Sequence, residues 1–270
     1  MLEILLNMQD NFLIPRIVES LLFLLITIRL YRKFPNQAFN KRPLLHRLFT
    51  VGILGWTVYA ICDIFIFSFA ALSFDTSVPI YVVGYTLEYP SLLIANILRD
   101  IACIGQFTQV AVYFFVPDAI FEGEMKTKQK MHNPWVQFIF ILCYFVLIIS
   151  DMISVQITEE FIYVSPNWNG VSGFFLTFTI VFYFIAAIRI QKALSKAKYD
   201  VNSREFSKRT SLLSWGIMMM GISFLWALFW NIVGIYYFSL FLFFFVSYSL
   251  HLFWMSSPIL IYLGLQGDNI

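Results

Sequence analysis

Long apolar segments separated by short polar ones make up most of the chain. A helix needs roughly 20 mostly apolar residues to cross the ~30 Å hydrocarbon core of a bilayer. The segments that meet this requirement are approximately Leu13–Tyr31, Leu48–Ala71, Tyr89–Val116, Trp135–Val155, Val171–Ile190, Leu212–Ile232 and Phe238–Leu265. The pattern predicts an all-α fold, a single domain over residues 1–270 formed by a bundle of seven transmembrane helices.

Basic residues are distributed unevenly among the segments that connect these helices. Apart from Arg16 and Arg99, all of the 18 Lys and Arg residues lie in or beside the connections that follow the first, third and fifth segments. The opposite side of the bundle carries acidic residues instead: Glu3, Asp10, Asp75, Glu88, Glu159 and Glu160. Because cytoplasmic loops carry the excess of Lys and Arg, the pattern predicts an N-terminus outside and a C-terminus in the cytoplasm.

Composition agrees with a membrane location. Hydrophobic residues make up 60% of the chain and charged residues 13%, whereas a soluble globular domain has about 25% charged residues. Mean hydropathy is +0.76. We therefore expect a multi-pass protein of the cell membrane, with the lipid bilayer as its main partner. A basic cytoplasmic side is expected next to anionic lipid, so no nucleic-acid partner is predicted.

Six charged side chains lie well inside the apolar segments, where charge is costly and usually functional. They are Arg16, Glu19, Asp63, Arg99, Asp100 and Asp151. Counted at 1.5 Å per residue, all six lie in the outer half or near the middle of the predicted bilayer. On the third helix, Asn96, Arg99, Cys103 and Gln106 follow a spacing that places them on one face. We expect this face to look into the bundle.

These positions predict an outward-facing polar pocket. Its candidate ligand-binding residues are Arg99, Asp100, Asn96, Gln106, Asp63, Asp151, Glu19 and His251. Two cationic and four acidic side chains do not balance, so at least one carboxylate should be protonated, hydrated or available to bind a cation. Purely structural roles are the alternatives: an interfacial pair of Arg16 with Glu19, a packing pair of Arg99 with Asp63 or Asp100, and a hydrogen-bonded packing role for His251.

Several kinds of chemistry have no residues to support them. No apolar segment contains a lysine, which excludes a retinal Schiff base. No H-E-x-x-H sequence, phosphate-binding glycine loop or Cys–Cys metal spacing is present. We therefore predict no enzymatic activity, no metal and no cofactor. Small residues in the runs Gly52–Gly55 and Gly216–Gly221 predict close helix packing.

Two short stretches resemble a known family. Ala60-Ile61-Cys62-Asp63 looks like the acidic position of rhodopsin-like G-protein-coupled receptors, and Ser257-Pro258 with Tyr262 is similar to the end of their last helix. The resemblance implies a seven-transmembrane receptor fold. The chain departs from the family in its Pro–Tyr spacing, which is one residue too long, and in the missing Asp-Arg-Tyr triplet and helix-three cysteine bridge. It is also similar in plan to the seven-helix sensor modules of microbial histidine kinases, without a kinase domain.

The sequence thus predicts a receptor-like or sensor-like membrane protein. A small ligand, proton or cation would enter from outside and meet the Arg99–Asp100 region. Helix movement near Pro258, which removes a backbone hydrogen bond, would then reach a signalling partner on the basic cytoplasmic face. The first alternative is a transporter or channel whose path continues through Gln106 and Gln109. The second is a structural subunit of a membrane complex, which predicts no pocket.

Overall fold

A computed structural model describes the backbone of residues 2–71, 80–83, 90–150, 153–157, 162–166, 171–200, 203–234 and 240–266. Its α-helices, in chain order, are α1 (Leu2–Arg32), α2 (Leu44–Ala71), α3 (Pro90–Phe114), α4 (Val116–Phe121), α5 (Gly123–Met131), α6 (Pro134–Ser150), α7 (Val171–Asp200), α8 (Arg204–Gly234) and α9 (Leu240–Leu265). A 3₁₀ turn at Phe39–Lys41 lies between α1 and α2. The predicted helical fold class is confirmed for most of the described chain.

Each of the seven predicted segments falls on one of the long helices α1, α2, α3, α6, α7, α8 and α9. Within the described residues, four stretches are long and apolar enough to cross a membrane: Leu44–Ile66, Leu92–Phe121, Thr177–Tyr199 and Tyr248–Leu265. A shorter apolar helix covers Pro134–Val146. These helices fit a membrane protein, as the composition predicts.

A small antiparallel sheet is the main feature that the sequence did not predict. Its strands are β1 (Ile80–Val83), β2 (Ile153–Ile157) and β3 (Ile162–Pro166), in the order β1-β2-β3. Val155 pairs with Val82 on one side and with Val164 on the other. The fourth predicted segment was therefore too long at its end, because α6 stops at Ser150 and Val155 lies in a strand. The sequence of β2, Ile-Ser-Val-Gln-Ile, alternates β-branched with polar residues, a period-two pattern that favours a strand over a helix.

The connection after α3 is folded into the two short helices α4 and α5. Gly123 lies between them with a φ of 80°, a left-handed conformation that glycine adopts without the penalty of a Cβ. The turn redirects the chain so that Glu124 of α5 reaches Arg47 of α2, with 2.9 Å between the carboxylate oxygen and the guanidinium nitrogen.

Close packing between α2 and α3 depends on glycine, as predicted for the Gly52–Gly55 run. A Cβ on Gly55 would lie 2.4 Å from the Gly105 carbonyl oxygen, and one on Gly52 would lie 2.3 Å from the Tyr113 ring. In α8, a Cβ on Gly216 would meet Ile261 of α9 at 2.7 Å. Small residues let the helix backbones approach, which is how apolar helices associate without a solvent-driven hydrophobic effect.

The first and last helices lie side by side and run in the same direction. Glu19 contacts His251, and further along both helices Lys33 donates a hydrogen bond to the Leu265 carbonyl. Both pairs are separated by 232 residues, so the two helices keep the same register over these 14 residues. Parallel neighbours must be joined by an odd number of intervening helices if every helix crosses the same layer.

Much of the apolar surface faces outward. On α1, Leu21 and Leu25 have 55% and 58% of their surface exposed, and on α6 Ile141 and Phe145 are similarly exposed. The interior holds a cluster centred on Trp56, Phe49, Tyr113, Tyr183 and Ile217, which are essentially fully buried. Exposed apolar helix faces of this extent are unusual in soluble monomers and are expected where lipid is the solvent.

Candidate functional site

Charged side chains from four helices are brought together in what we call the four-helix polar cluster. It consists of Arg16 and Glu19 of α1, Asp63 of α2, Arg99 of α3 and His251 of α9. All five were predicted as membrane-embedded polar groups or as their neighbours. They are separated by up to 235 residues along the chain, so their proximity depends entirely on how the helices pack.

The first contact in the cluster is an ion pair between α1 and α2. A guanidinium nitrogen of Arg16 contacts a carboxylate oxygen of Asp63, with side-chain exposures of 20% and 10%. Arg16 also lies within electrostatic range of Glu19, Tyr59 and Arg99. The sequence had suggested Glu19 as the partner of Arg16, but the ion pair forms with Asp63 because α1 and α2 pack against each other in this layer.

The second contact joins the first helix to the last. Nδ1 of His251 and a carboxylate oxygen of Glu19 are 2.8 Å apart, and each side chain is only 4% exposed. Burial on this scale removes water as an alternative partner, so the carboxylate and the imidazole depend on one another. His251 is therefore hydrogen-bonded, and its partner is an ionisable group rather than a backbone carbonyl.

Arg99 occupies the α3 side of the cluster. It is 5% exposed, and its guanidinium carbon lies 5.9 Å from the centre of the Tyr59 ring, at the limit of the range for a cation–π contact. Asn96, one turn earlier, is fully buried and donates a hydrogen bond to the Leu92 carbonyl of its own helix. The prediction that this face of α3 looks into the bundle is therefore correct for Asn96 and Arg99.

Aromatic rings pack directly below these charges. The rings of Trp56 and Tyr59 stack at 4.6 Å, and Trp56 meets Trp254 edge-on at 5.6 Å. Trp254 in turn packs against the His251 ring at 5.5 Å. These rings were not predicted as part of the site. Tyr59 nevertheless lies four residues before Asp63 and therefore on the same face of α2. Through Tyr59 and Trp254 they contact Arg99 and His251, the α3 and α9 members of the cluster.

The charges in the cluster are balanced when His251 is neutral. Arg16 and Arg99 are matched by Glu19 and Asp63, so the predicted excess of carboxylates is not found among the residues brought together here. Asp100 is half-buried on α3, next to Arg99 in the chain. Asp151, the remaining predicted carboxylate, lies outside the described residues.

Two further polar residues lie deeper along α3. Gln106 is half-buried, whereas Gln109 is fully buried, one helical turn from the buried Tyr113 hydroxyl. Polar groups therefore continue along α3 beyond the four-helix polar cluster.

Metal-binding groups are sparse. Within the described residues no group of three or more His, Cys, Asp or Glu side chains is arranged to hold a metal ion. Cys62, Cys103 and Cys143 are present as free thiols. What the site offers chemically is ion pairing, hydrogen bonding and exchange of a proton.

Comparison with models of known protein families finds no match, and comparison with curated proteins finds none either. A function for this protein is therefore inferred from the geometry of the chain itself.

Proposed function

We propose that the chain is a multi-pass protein of the cell membrane, receptor-like or sensor-like, and that the four-helix polar cluster is the site that responds. The observation that carries the proposal is the buried hydrogen bond between Glu19 and His251. The stimulus would be a proton, a small cation or a small ligand that changes the charge of this pair. The N-terminus is proposed to lie outside and the C-terminus in the cytoplasm.

Helix direction supports the membrane topology. The parallel course of α1 and α9, fixed by the Glu19–His251 and Lys33–Leu265 contacts, requires an odd number of crossings from the first helix to the last. Seven crossings satisfy this requirement and agree with the distribution of basic residues. The exposed apolar faces of α1 and α6 provide the surface that lipid would cover.

The Glu19–His251 pair suits a response to charge because water does not compensate for a change there. Gain or loss of one proton leaves an uncompensated charge in a buried site, and such a charge costs several kcal/mol unless the structure adjusts. The charged and titratable groups around the pair are Arg16 on α1, Asp63 and Tyr59 on α2, and Arg99 on α3. Imidazole is the side chain best suited to such a role near neutral pH.

The same two helices provide a route to the cytoplasmic side. Lys33, one residue beyond α1, bonds to the carbonyl of Leu265, the last residue of α9. A change at Glu19–His251 that moves α1 against α9 would alter this second contact. Pro258 lies in α9 between the two contacts, where a missing backbone hydrogen bond makes a helix easier to bend.

A transporter or channel is the second candidate, favoured by the buried Gln109 and Tyr113 beyond the cluster. These groups would extend a polar path toward the cytoplasm. A structural subunit, the third possibility, would use the cluster only to fix helix packing.

Thermal unfolding of the detergent-purified protein distinguishes these functions. We would scan pH 5 to 8 and a panel of cations and small metabolites, using wild type, Glu19→Gln and His251→Gln. Thr27→Val serves as the matched control because Thr27 is also buried on α1 but bonds to Thr57 instead. A ligand at 100 times its Kd should add about 2.7 kcal/mol of stability.

A sensor-like protein should show a pH or ligand response in wild type and Thr27→Val that is lost in both Glu19→Gln and His251→Gln. Equal responses in all four proteins would rule out the pair as the responsive site. Solute flux into liposomes that stops in Gln109→Leu would instead favour the transporter.

A further inference from the structure

A basic cavity lies where α1 ends and the chain turns toward α2. It is open to solvent and has a volume of about 460 Å³. The residues that line it include Tyr31, Arg32, Asn36, Gln37, Phe39 and Arg42. This cavity lies at the C-terminal end of α1, whereas the four-helix polar cluster lies near the middle of that helix, and it takes no part in the function proposed above.

Arg42 is held firmly in the wall of the cavity. It is only 4% exposed and donates hydrogen bonds to the carbonyls of Gln37 and Tyr31. Its guanidinium lies 4.6 Å from the Tyr31 ring and 5.4 Å from the Phe39 ring, and these two rings stack on each other. The two bonds use two of the five N–H donors of an arginine, which leaves a planar, preorganised group able to donate to an oxyanion.

The chain segment that forms the cavity carries charge of one sign. From Ser20 to Cys62 the sequence contains no acidic residue, whereas the part from Arg29 to Arg47 contains six basic ones. Arg32 is exposed at the end of α1 and can approach a bound group from solvent. A cavity with Arg42 in its wall and Arg32 exposed beside it favours an anion with several oxygen acceptors, such as a phosphate.

An apolar strip on α1 leads directly to this cavity. Leu21, Leu25 and Ile28 are 55%, 58% and 39% exposed, and with Arg32 their spacing of four, three and four residues puts them on one helix face. The strip is about 11 Å long from Leu21 to Ile28 at 1.5 Å per residue. A molecule with a phosphate at one end and a hydrocarbon chain at the other would match the cavity and the strip together.

We propose that this cavity binds the phosphate headgroup of an anionic phospholipid, with an acyl chain lying along Leu21, Leu25 and Ile28. The ligand would hold the α1–α2 turn against the bilayer surface. Some of the basic residues from which we infer the orientation of the protein would then form one specific lipid site. This site would act in addition to the general attraction of basic residues to anionic lipid.

Native mass spectrometry of the full chain tests the proposal, with phosphatidylglycerol, phosphatidylcholine and inorganic phosphate as separate probes. Arg32→Gln removes a charge from the cavity, and Lys41→Gln is the matched control because Lys41 is exposed in the same turn but does not line the cavity. Leu25→Ser tests the acyl strip. Arg42→Lys keeps the charge but loses the planar geometry, and circular dichroism checks that each variant is folded.

We expect one phosphatidylglycerol bound in preference to phosphatidylcholine. Arg32→Gln should weaken it about fivefold, the effect of one cation near a membrane surface, and Arg42→Lys should also weaken it, while Lys41→Gln changes it less than twofold. Leu25→Ser should weaken lipid binding without affecting inorganic phosphate. Equal losses of phosphatidylglycerol binding in Arg32→Gln and Lys41→Gln would mean that general charge attraction holds the lipid, and would overturn the proposal. Phosphate binding as tight as that of the lipid would overturn the acyl-chain part.

Discussion

The four-helix polar cluster and the α4–α5 segment both pair carboxylates with basic groups, but their surroundings differ. In the cluster, Glu19 and His251 are each 4% exposed. In α5, Glu124 and Lys128 are each 44% exposed although only 2.6 Å separates their charged atoms. Exposed pairs are weakened by water and salt, whereas removing one member of a buried pair leaves a polar group with no substitute. Similar distances therefore imply different energies, and only the buried contacts are expected to control the position of a helix.

The largest effect is expected from breaking the buried pair. Glu19→Gln or His251→Gln should each reduce the free energy of unfolding by about 2 kcal/mol. This figure lies between the mean of ~0.6 kcal/mol for hydrogen bonds between membrane helices and the ~3–5 kcal/mol for broken buried ion pairs. Reversible unfolding in mixed detergent measures it.

The double variant Glu19→Gln/His251→Gln serves as the control for that measurement. If the two side chains stabilise the fold through each other, the double variant should lose less than the sum of the two single losses. Strictly additive losses would mean that the two residues act independently, contrary to the contact between them.

A neutral buried contact should matter less than the ionisable one. The hydroxyls of Thr27 and Thr57 are 2.8 Å apart between α1 and α2. Thr27→Val keeps the shape and should cost about 0.6 kcal/mol in the same unfolding assay. A loss as large as that of His251→Gln would remove the distinction between ionisable and neutral contacts in this bundle.

Asp118 represents an intermediate environment. Its carboxylate is 11% exposed, but its partners Lys130 and Arg189 are 45% and 36% exposed, at 3.1 Å and 3.4 Å. Because water reaches both cations, Asp118→Asn should cost only about 0.5 kcal/mol, and salt should reduce that cost. A salt titration of the unfolding midpoint in wild type and variant measures the effect, and a larger, salt-insensitive cost would place Asp118 with the buried group.

The smallest effects should come from the exposed carboxylates of this segment. Hydrogen bonds from Lys128 and Lys130 lower the pKa values of Glu124 and Glu122 below the ordinary value of 4.5. A lowered carboxyl pKa stabilises the folded state above the unfolded value and loses that contribution as pH falls through the folded value. We therefore expect a slight loss of stability below about pH 4.5 that Glu124→Gln reduces. A free energy of unfolding that does not change with pH in either wild type or Glu124→Gln would contradict this prediction.

The sequence predicted the helices more accurately than their contacts. Apolar length located α1, α2, α3, α7, α8 and α9, each of which overlaps one predicted segment, because a hydrophobic stretch of that length has few other structures available in lipid. The prediction from apolar length was wrong at Val155, because the residues that follow α6 form the strand β2. Strand pairing with residues 80–83 is a long-range contact, which a local pattern does not contain.

The site was predicted as a set of residues but not as a set of pairs. The free-energy cost of burying a charge identified four members of the site, because a charged residue is unusual in an apolar segment. These members are Arg16, Glu19, Asp63 and Arg99. Nothing local indicated that Glu19 would meet His251, which is 232 residues away. That pairing depends on the last helix returning beside the first, and the number of helices alone does not fix this arrangement.

We propose that Glu19 and His251 form one responsive unit in the membrane. The protein has 3 histidines, so ¹⁵N-histidine NMR of the protein in lipid gives a small set of ring signals, and the one lost in His251→Gln identifies His251. We expect this signal to change between pH 5 and 8, and we expect Glu19→Gln to alter the change while leaving His132 unaffected. A His251 signal that is independent of pH, or unaffected by Glu19→Gln, would contradict it.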